Sequence, residues 1–385
     1  MVITKLALKN WRNFRKVEVP LADTTYIMGP NASGKSNFLD VMRFLRDIAD
    51  PQGGGLNKAL DMRRGFSKVR CLAARQKPDI GITVELSDEF DAGKPRWRYE
   101  LQIGQQSRGL FLPKVVREAV YDYIKMQYVL ERPDQNDKED PRLLTQTALE
   151  QLSLNRSFRE IADFFSHVLY LHLVPQLLKF GNELAVKKMT NDPFGQGFLE
   201  KIANTPEKTR KSRLTRIESI LKKVIHGFSD LSFALDRSGQ PHLQMRYVHW
   251  RPNGGYQTEE DFSDGTLRLI GLLWTLLENG SLILLEEPEL SLHEDIVKNI
   301  PELIVRARES RKKGDCGQII VSTHSEALLS SPVVRGQYLM IEPRLTEGEG
   351  SVINTPTESD NQALAAGMTP AEVLLPRTAV GFRFS

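Results

Sequence analysis

The stretch Gly29-Pro30-Asn31-Ala32-Ser33-Gly34-Lys35-Ser36 constrains this chain more than any other feature. It fits the spacing G-x-x-x-x-G-K-[ST], and its flanks are of the matching kind. Tyr26-Ile27-Met28 reads as the end of a buried strand. Residues 37–45 read as a helix with Phe38, Val41, Met42 and Leu45 on one face. A strand, loop and helix in this order curl backbone N–H groups around phosphate oxygens, and the helix start adds positive potential. On that reading Asn31, Ala32, Ser33, Gly34 and Asn37 line the phosphates. Lys35 supplies a point charge, and the Ser36 hydroxyl is placed to ligate Mg²⁺. A glycine-rich turn matching by chance is the alternative, and the order of the flanking elements speaks against it.

Three segments in the second half carry complementary chemistry. Leu282-Ile283-Leu284-Leu285 is apolar throughout, as a strand buried on both faces must be, and it runs into Glu286 and Glu287. The C-terminal end of such a strand opens onto the ligand crevice of a parallel sheet. Glu286 is placed to hold a metal through water, and Glu287 to orient an attacking water. Without the phosphate loop, the same residues would suit a strand running into a solvated acidic turn. Residues 317–323 form another apolar run, ending at His324, which is placed to donate to a γ-phosphate or to serve as an ordinary surface histidine. Ser263 and Gly265 precede the apolar run 267–277. They offer a hydroxyl, N–H groups and a helix dipole to a phosphate, and they suit a plain N-cap equally well.

Of the 385 residues, 40% are hydrophobic and 26% charged, with a formal charge of +3. This suits a soluble α/β protein of one large or two moderate domains, with no global charge pulling it onto nucleic acid or membrane. Cys71 and Cys316 form neither a disulfide framework nor a metal-ligand spacing, which fits a reducing cytoplasm. No apolar run reaches about 18 residues, so no membrane partner is expected. Residues 2–8 and 17–19 pattern as a hairpin. Residues 69–130 alternate as an antiparallel sheet, and residues 133–141 read as a mobile surface loop. Residues 142–226 read as helical. Residues 231–235 and 243–247 read as strands, and 348–351 as a hairpin turn. Leu374, Leu375, Phe382 and Phe384 in the tail are expected to pack. Lys208, Arg210, Lys211, Arg213, Arg216, Lys222 and Lys223 crowd one helix, either as a nucleic-acid contact or as a solvated face. The division expected is 1–135 for the first part of an ATPase core, 136–228 for an inserted helical lobe, 229–345 for the second part of the core and 346–385 for a tail.

Together these segments resemble the ATP-binding-cassette ATPases of the RecF, structural-maintenance-of-chromosomes and OLD group, over about residues 1–50 and 255–330. Leu8-Lys9-Asn10-Trp11-Arg12-Asn13-Phe14 looks like that group's N-terminal signature, which puts Arg12 and Asn13 at the nucleotide. Phe262-Ser263-Asp264-Gly265-Thr266 is similar to the cassette signature, Leu290-Ser291-Leu292-His293 stands at the D-loop, and His324 matches the switch histidine. The resemblance implies a P-loop fold of cassette type, with a mixed sheet core and an inserted, mainly helical lobe. It implies ATP and Mg²⁺ as ligands, with Lys35, Glu287 and His324 catalytic and Ser36 and Glu286 on the metal. It further implies that two copies sandwich two ATP molecules, with Ser263 and Gly265 acting in trans. ATP turnover, slow or partner-dependent, would switch a separate effector such as a nuclease, in bacterial defence against phage or in DNA maintenance. A scaffold with little turnover and a DNA-binding repair ATPase are the other readings. Glu286 and His293 depart from the group's usual Asp, and Gln76 and Gln102 are the candidates for its Q-loop. About 230 residues separate Lys35 from Gly265 without a heptad run, so a compact lobe and no coiled coil is expected.

Overall fold

The computed structural model describes residues 1–74, 79–90, 93–106, 112–180, 194–248, 255–278, 280–309, 317–344 and 350–378. The chain divides into two compact units. One is Met1–Leu169 with Gly280–Leu284 and Arg311–Ser385; the other is Tyr170–Asn279 with Leu285–Ser310.

The first unit is built on two sheets. Strands β1 (Val2–Trp11), β2 (Phe14–Pro20), β4 (Ile80–Ser87), β5 (Trp97–Gln105), β6 (Pro113–Asp122) and β7 (Gln127–Arg132) form an antiparallel sheet in the order β2-β1-β4-β5-β6-β7. The alternating pattern read from the sequence has a direct cause. Ile80, Ile82, Val84 and Leu86 pair with Ile103, Leu101, Tyr99 and Trp97, so eight large side chains meet on one buried face. The second sheet contains β3 (Thr24–Met28), β8 (Val168–Leu171), β12 (Leu282–Glu286), β13 (Gln318–Thr323), β14 (Gln337–Pro343) and β15 (Ser351–Asn354), in the order β15-β14-β3-β13-β12-β8. β3 runs parallel to both β13 and β14, while β15 is antiparallel to β14. β8 and β12 begin in the first unit and end in the second. Helix α1 (Lys35–Ala49) packs on β13 and on α2 (Arg159–Ser166).

In the second unit, α3 (Pro175–Phe180), α4 (Glu207–Val224) and α5 (Asp264–Leu276) accompany a three-stranded sheet, β11-β10-β9. Its strands are β9 (Phe228–Leu235), β10 (Pro241–Tyr247) and β11 (Gln257–Thr258). Leu214, Ile217 and Leu221 of α4 join Leu243, Met245 and Trp274 in one apolar core. With 18 residues, α4 is the longest described helix, far short of a coiled-coil arm.

Two sequence expectations change. Residues 133–141 are not a mobile loop. A capping box from Asp134 and Asp137 starts the short helix Gln135–Glu139, and buried Arg132 grips Asp137 at 2.7 Å. Residues 142–226 are not helical throughout, because β8 joins the edge of the second sheet. Most cations of α4 are already engaged. Arg210 lies over Phe233, Arg213 over Trp274, and Lys211 and Lys222 pair with Glu207 and Glu218. In the tail, Leu374 is fully buried as expected. Phe382, Phe384, Gln76 and the first two residues of the expected turn at 348–351 lie outside the described residues.

Candidate nucleotide-binding site

In the first unit, all five residues of β3 are buried, and the strand is flanked by parallel neighbours on both sides. The loop that leaves it therefore stands at the C-terminal edge of the sheet, where open α/β sheets take ligands. Ala32 (φ 62°) and Gly34 (φ 114°) bend the loop through left-handed conformations. A Cβ at Gly34 would come within 2.1 Å of Asn13 Nδ2. Helix α1 starts at Lys35 with no acidic residue in its first turn, leaving its N-terminal N–H groups and dipole available to an anion. Lys35 is 5% exposed, and its ammonium donates to the carbonyls of Gly29 (2.8 Å) and Pro30 (3.2 Å), so it spans the loop. Asn31, Ala32 and Ser36 are exposed and Asn37 half-buried.

The loop is braced from behind. Asn13 Nδ2 donates to the Ser33 carbonyl (2.9 Å) and to Ser351 Oγ (2.7 Å), and Asn37 Nδ2 donates to Asn13 Oδ1 (2.8 Å). Ser351 Oγ donates to the same Ser33 carbonyl at 2.6 Å. Asn13 thus acts on the loop's shape. Arg12, expected beside the nucleotide, gives Nε (3.0 Å) and Nη2 (2.6 Å) to Asp40 on α1. Asp40 and Asp47 also hold Arg63, which is nearly buried. Burial alone would raise the Asp40 carboxyl. The charges of Arg63, Arg12 and Arg43 outweigh it and leave the group below its ordinary value. Thr323, the last residue of β13, pairs with Met28. Exposed His324 and Gly29 therefore leave neighbouring strands at the same level.

These features fit a nucleotide phosphate tail. Gly34 leaves no room for a side chain between the loop and its Asn13 brace. The Ser33 and Ser322 hydroxyls, at the loop and near the end of β13, are buried without a hydrogen-bond partner among the described residues. Polar groups left so are costly unless a ligand or water satisfies them.

The remaining predicted residues lie in the second unit. Glu286 ends β12 and accepts a hydrogen bond from the Tyr170 hydroxyl at 2.8 Å. Glu287 adopts a left-handed backbone (φ 43°), unusual for a residue with a side chain, and its carbonyl accepts the Leu290 N–H. Ser263 caps α5, its Oγ accepting the Thr266 N–H at 3.1 Å. The next residue, Asp264, is held by Gln176 (2.6 Å) and Lys179 (3.2 Å). Gly265 is required by packing, because a Cβ there would lie 2.6 Å from the Ser291 carbonyl. His293 caps the turn that follows and is exposed. Tyr170 was not foreseen. The signal was the alternation of apolar and polar residues over Leu169-Tyr170-Leu171-His172, which suits a strand.

A phosphate loop at the edge of a mixed sheet, with an apolar strand ending in carboxylates, defines a P-loop ATPase of the cassette type shared by RecF, SMC and OLD proteins. Residues 25–330 match the family described as "AAA domain, putative AbiEii toxin, Type IV TA system", and the chain belongs to that family. The fold is that of SMC head domains. A head bound to the C-winged helix domain of ScpA aligns with 94% of this chain and 100% of its own, with a TM-score of 0.58 and 15% identity. The Smc head domain with an extended coiled coil from Pyrococcus furiosus, bound to the C-terminal domain of ScpA, covers 95% and 98%, with a TM-score of 0.50 and 14% identity. Endonuclease GajA of Bacillus cereus (strain VD045) is 35% identical over 88 residues, 23% of this chain. The match spans 14% of GajA's own length. Among the described residues, no helix is long and apolar enough to cross a membrane.

Proposed function

We propose that this chain is an ATP-hydrolysing switch that closes on ATP with a second copy of itself and governs a separately encoded effector. The observation that carries the nucleotide part is the loop itself. Its left-handed Ala32 and Gly34, seated lysine and unopposed helix start form a cradle for phosphate. In this reading residues 31–37 hold the phosphates of ATP, and Ser36 and Glu286 hold Mg²⁺. Bound Mg²⁺ supplies charge neutralisation on the phosphoryl group. Lys35 stabilises the same charge, Glu287 orients the attacking water and His324 donates to the γ-phosphate. Arg12 and Asn13 brace the loop, and Ser263 and Gly265 meet the partner copy's ATP. Residues 1–135 and 229–345 form the ATPase core, 136–228 the inserted lobe and 346–385 the tail. The likeness to an endonuclease favours a nuclease effector. A cytoplasmic role in anti-phage defence or DNA maintenance is part of the same proposal.

A scaffold that binds ATP and barely turns it over is favoured by one observation: the Ser263 hydroxyl is already in use as an N-cap. A DNA-binding repair ATPase is less favoured because Arg210 and Arg213 lie over Phe233 and Trp274, and Lys211 and Lys222 pair with Glu207 and Glu218.

The test is the solution mass of Glu287→Gln with and without Mg²⁺–ATP, beside the hydrolysis rate of the natural chain. An ATP-dependent doubling that Ser263→Arg abolishes, with turnover lost in Glu287→Gln, is the expected result. An unchanged mass with no turnover in the natural chain overturns the switch and leaves the scaffold.

A further inference from the structure

The second unit contains a cavity of about 30 Å³ beside Glu286 and Glu287, lined also by His172, Arg268, Leu272 and Thr275. Nothing in the nucleotide reading calls for the two basic side chains here. His172 follows β8 two residues after Tyr170, whose hydroxyl meets Glu286 at the end of β12. Arg268 sits on the second turn of α5.

Both present an unsatisfied atom. Among the described residues, Arg268 Nε and His172 Nδ1 each find no hydrogen-bond partner and are buried, although both side chains are half-buried overall. Burial makes Arg268 release its proton more readily than usual, and Asp264 offsets this only in part. Asp264 is itself shared with Gln176 and Lys179. A guanidinium held at this cost in a wall of Leu272, Leu285 and Pro288 needs a partner.

The space suits one water. A cavity needs only about 10–15 Å³ of this kind of volume to admit a water, which requires two to four polar partners. Here Arg268 Nε–H can donate to it, and it can donate to His172 Nδ1 and to a carboxylate. We infer that one ordered water in this cavity joins Arg268 and His172 to the Glu287 carboxylate, so that Arg268 and His172 are positioning residues for Glu287. Glu287 needs such a tether. A base that orients water must be held to a fraction of an ångström, and its left-handed backbone is one part of that hold. The water and the two residues behind it do for the carboxylate what outer-shell partners do for metal ligands.

The water itself is tested without any activity, by a crystal structure of the nucleotide-free full chain at a resolution that shows ordered solvent. The expected result is a water within hydrogen-bond reach of both Arg268 Nε and His172 Nδ1. A dry cavity, or a direct bond from Arg268 Nε to Glu287, overturns the inference. The positioning role rests on the ATPase reading and is tested by kinetics. In His172→Leu and Arg268→Ala, kcat is expected to fall roughly 10- to 100-fold. The KM for ATP and the thermal shift on adding Mg²⁺–ATP should stay as in the natural chain. His172→Asn, which keeps a polar atom near the position of Nδ1, should recover most of the rate, and guanidinium ion should partly rescue Arg268→Ala. Equal loss in His172→Leu and His172→Asn, or a parallel loss of ATP binding, overturns the positioning role. If the natural chain neither binds nor hydrolyses ATP, the proposed function fails while the crystallographic result for the water stands.

Discussion

Asn13 and Gly34 are predicted to be strongly coupled, and the geometry sets the size of the effect. Asn13→Ala removes three hydrogen bonds, to the Ser33 carbonyl, to Ser351 Oγ and from Asn37 Nδ2. At about 1 kcal/mol net for each, the cost is about 2–3 kcal/mol. Gly34→Ala carries two penalties. Its left-handed backbone at φ 114° costs an alanine about 1–3 kcal/mol. Its new Cβ, 2.1 Å from Asn13 Nδ2, also expels the carboxamide and forfeits the same three bonds. The single variant should lose about 3–6 kcal/mol. In the double variant the clash has no target, so only the backbone strain adds to the loss from Asn13→Ala. The two single costs should then exceed the double by about 2–3 kcal/mol. Urea unfolding of the four proteins, followed by far-ultraviolet circular dichroism, reads the cycle directly. Additivity within about 0.5 kcal/mol would mean that Asn13 is not seated against the loop, and would refute the account of how the loop is braced.

Three further outcomes follow from buried groups. Arg63→Met strips the buried guanidinium from Asp40 and Asp47 and should cost about 3–5 kcal/mol in the same assay. Because the Asp40 carboxyl is lowered in the folded chain, its ion pairs stabilise above about pH 4 and are lost as pH falls further. Arg63→Met should therefore unfold in acid at a higher pH than the natural chain. Glu150 has the opposite sign: burial, first of all, raises its carboxyl to about 7. The unfolded chain releases this proton first, so stability should fall by on the order of 3 kcal/mol as pH rises from about 4.5 through 7. Glu150→Gln should flatten that slope, and an unchanged slope would place the proton elsewhere. Tyr170→Phe removes the hydroxyl that holds one oxygen of Glu286. It should raise the Mg²⁺ concentration needed for hydrolysis about tenfold, with metal-free ATP binding unchanged in a fluorescence titration.

The site's first half was legible because its chemistry is contiguous. A buried strand, a glycine-bearing loop and an amphipathic helix occupy consecutive residues, and each carries its own local signal. The apolar runs of β12 and β13 were legible for the same reason. β8 was not. Val168 continues the three- and four-residue spacing of Phe164 and Phe165, with no Gly or Pro between them, and its neighbour β12 lies more than a hundred residues onward. Tyr170 and His172 were lost with it. Composition left two readings open at α4, because the cations are plain but the rings of Phe233 and Trp274 that take two of them are remote in sequence. For Arg12, the sequence marks a functional neighbourhood, but its partner Asp40 becomes visible only once α1 is seen against β1 and β2.

The Ser33 carbonyl, which accepts from both Asn13 and Ser351, has a practical consequence for anyone shortening this chain. The matched family segment ends at residue 330, and a cut there looks harmless on a map of motifs. It would delete β15, with Ser351 Oγ and the Ser351 N–H that donates to the Asn13 carbonyl at 2.8 Å. Two of the clamps on the phosphate loop would go with a segment some three hundred residues downstream. A fragment 1–330 that lost nucleotide would therefore say nothing about the motifs it retains. The smallest piece fit for binding measurements runs past Asn354.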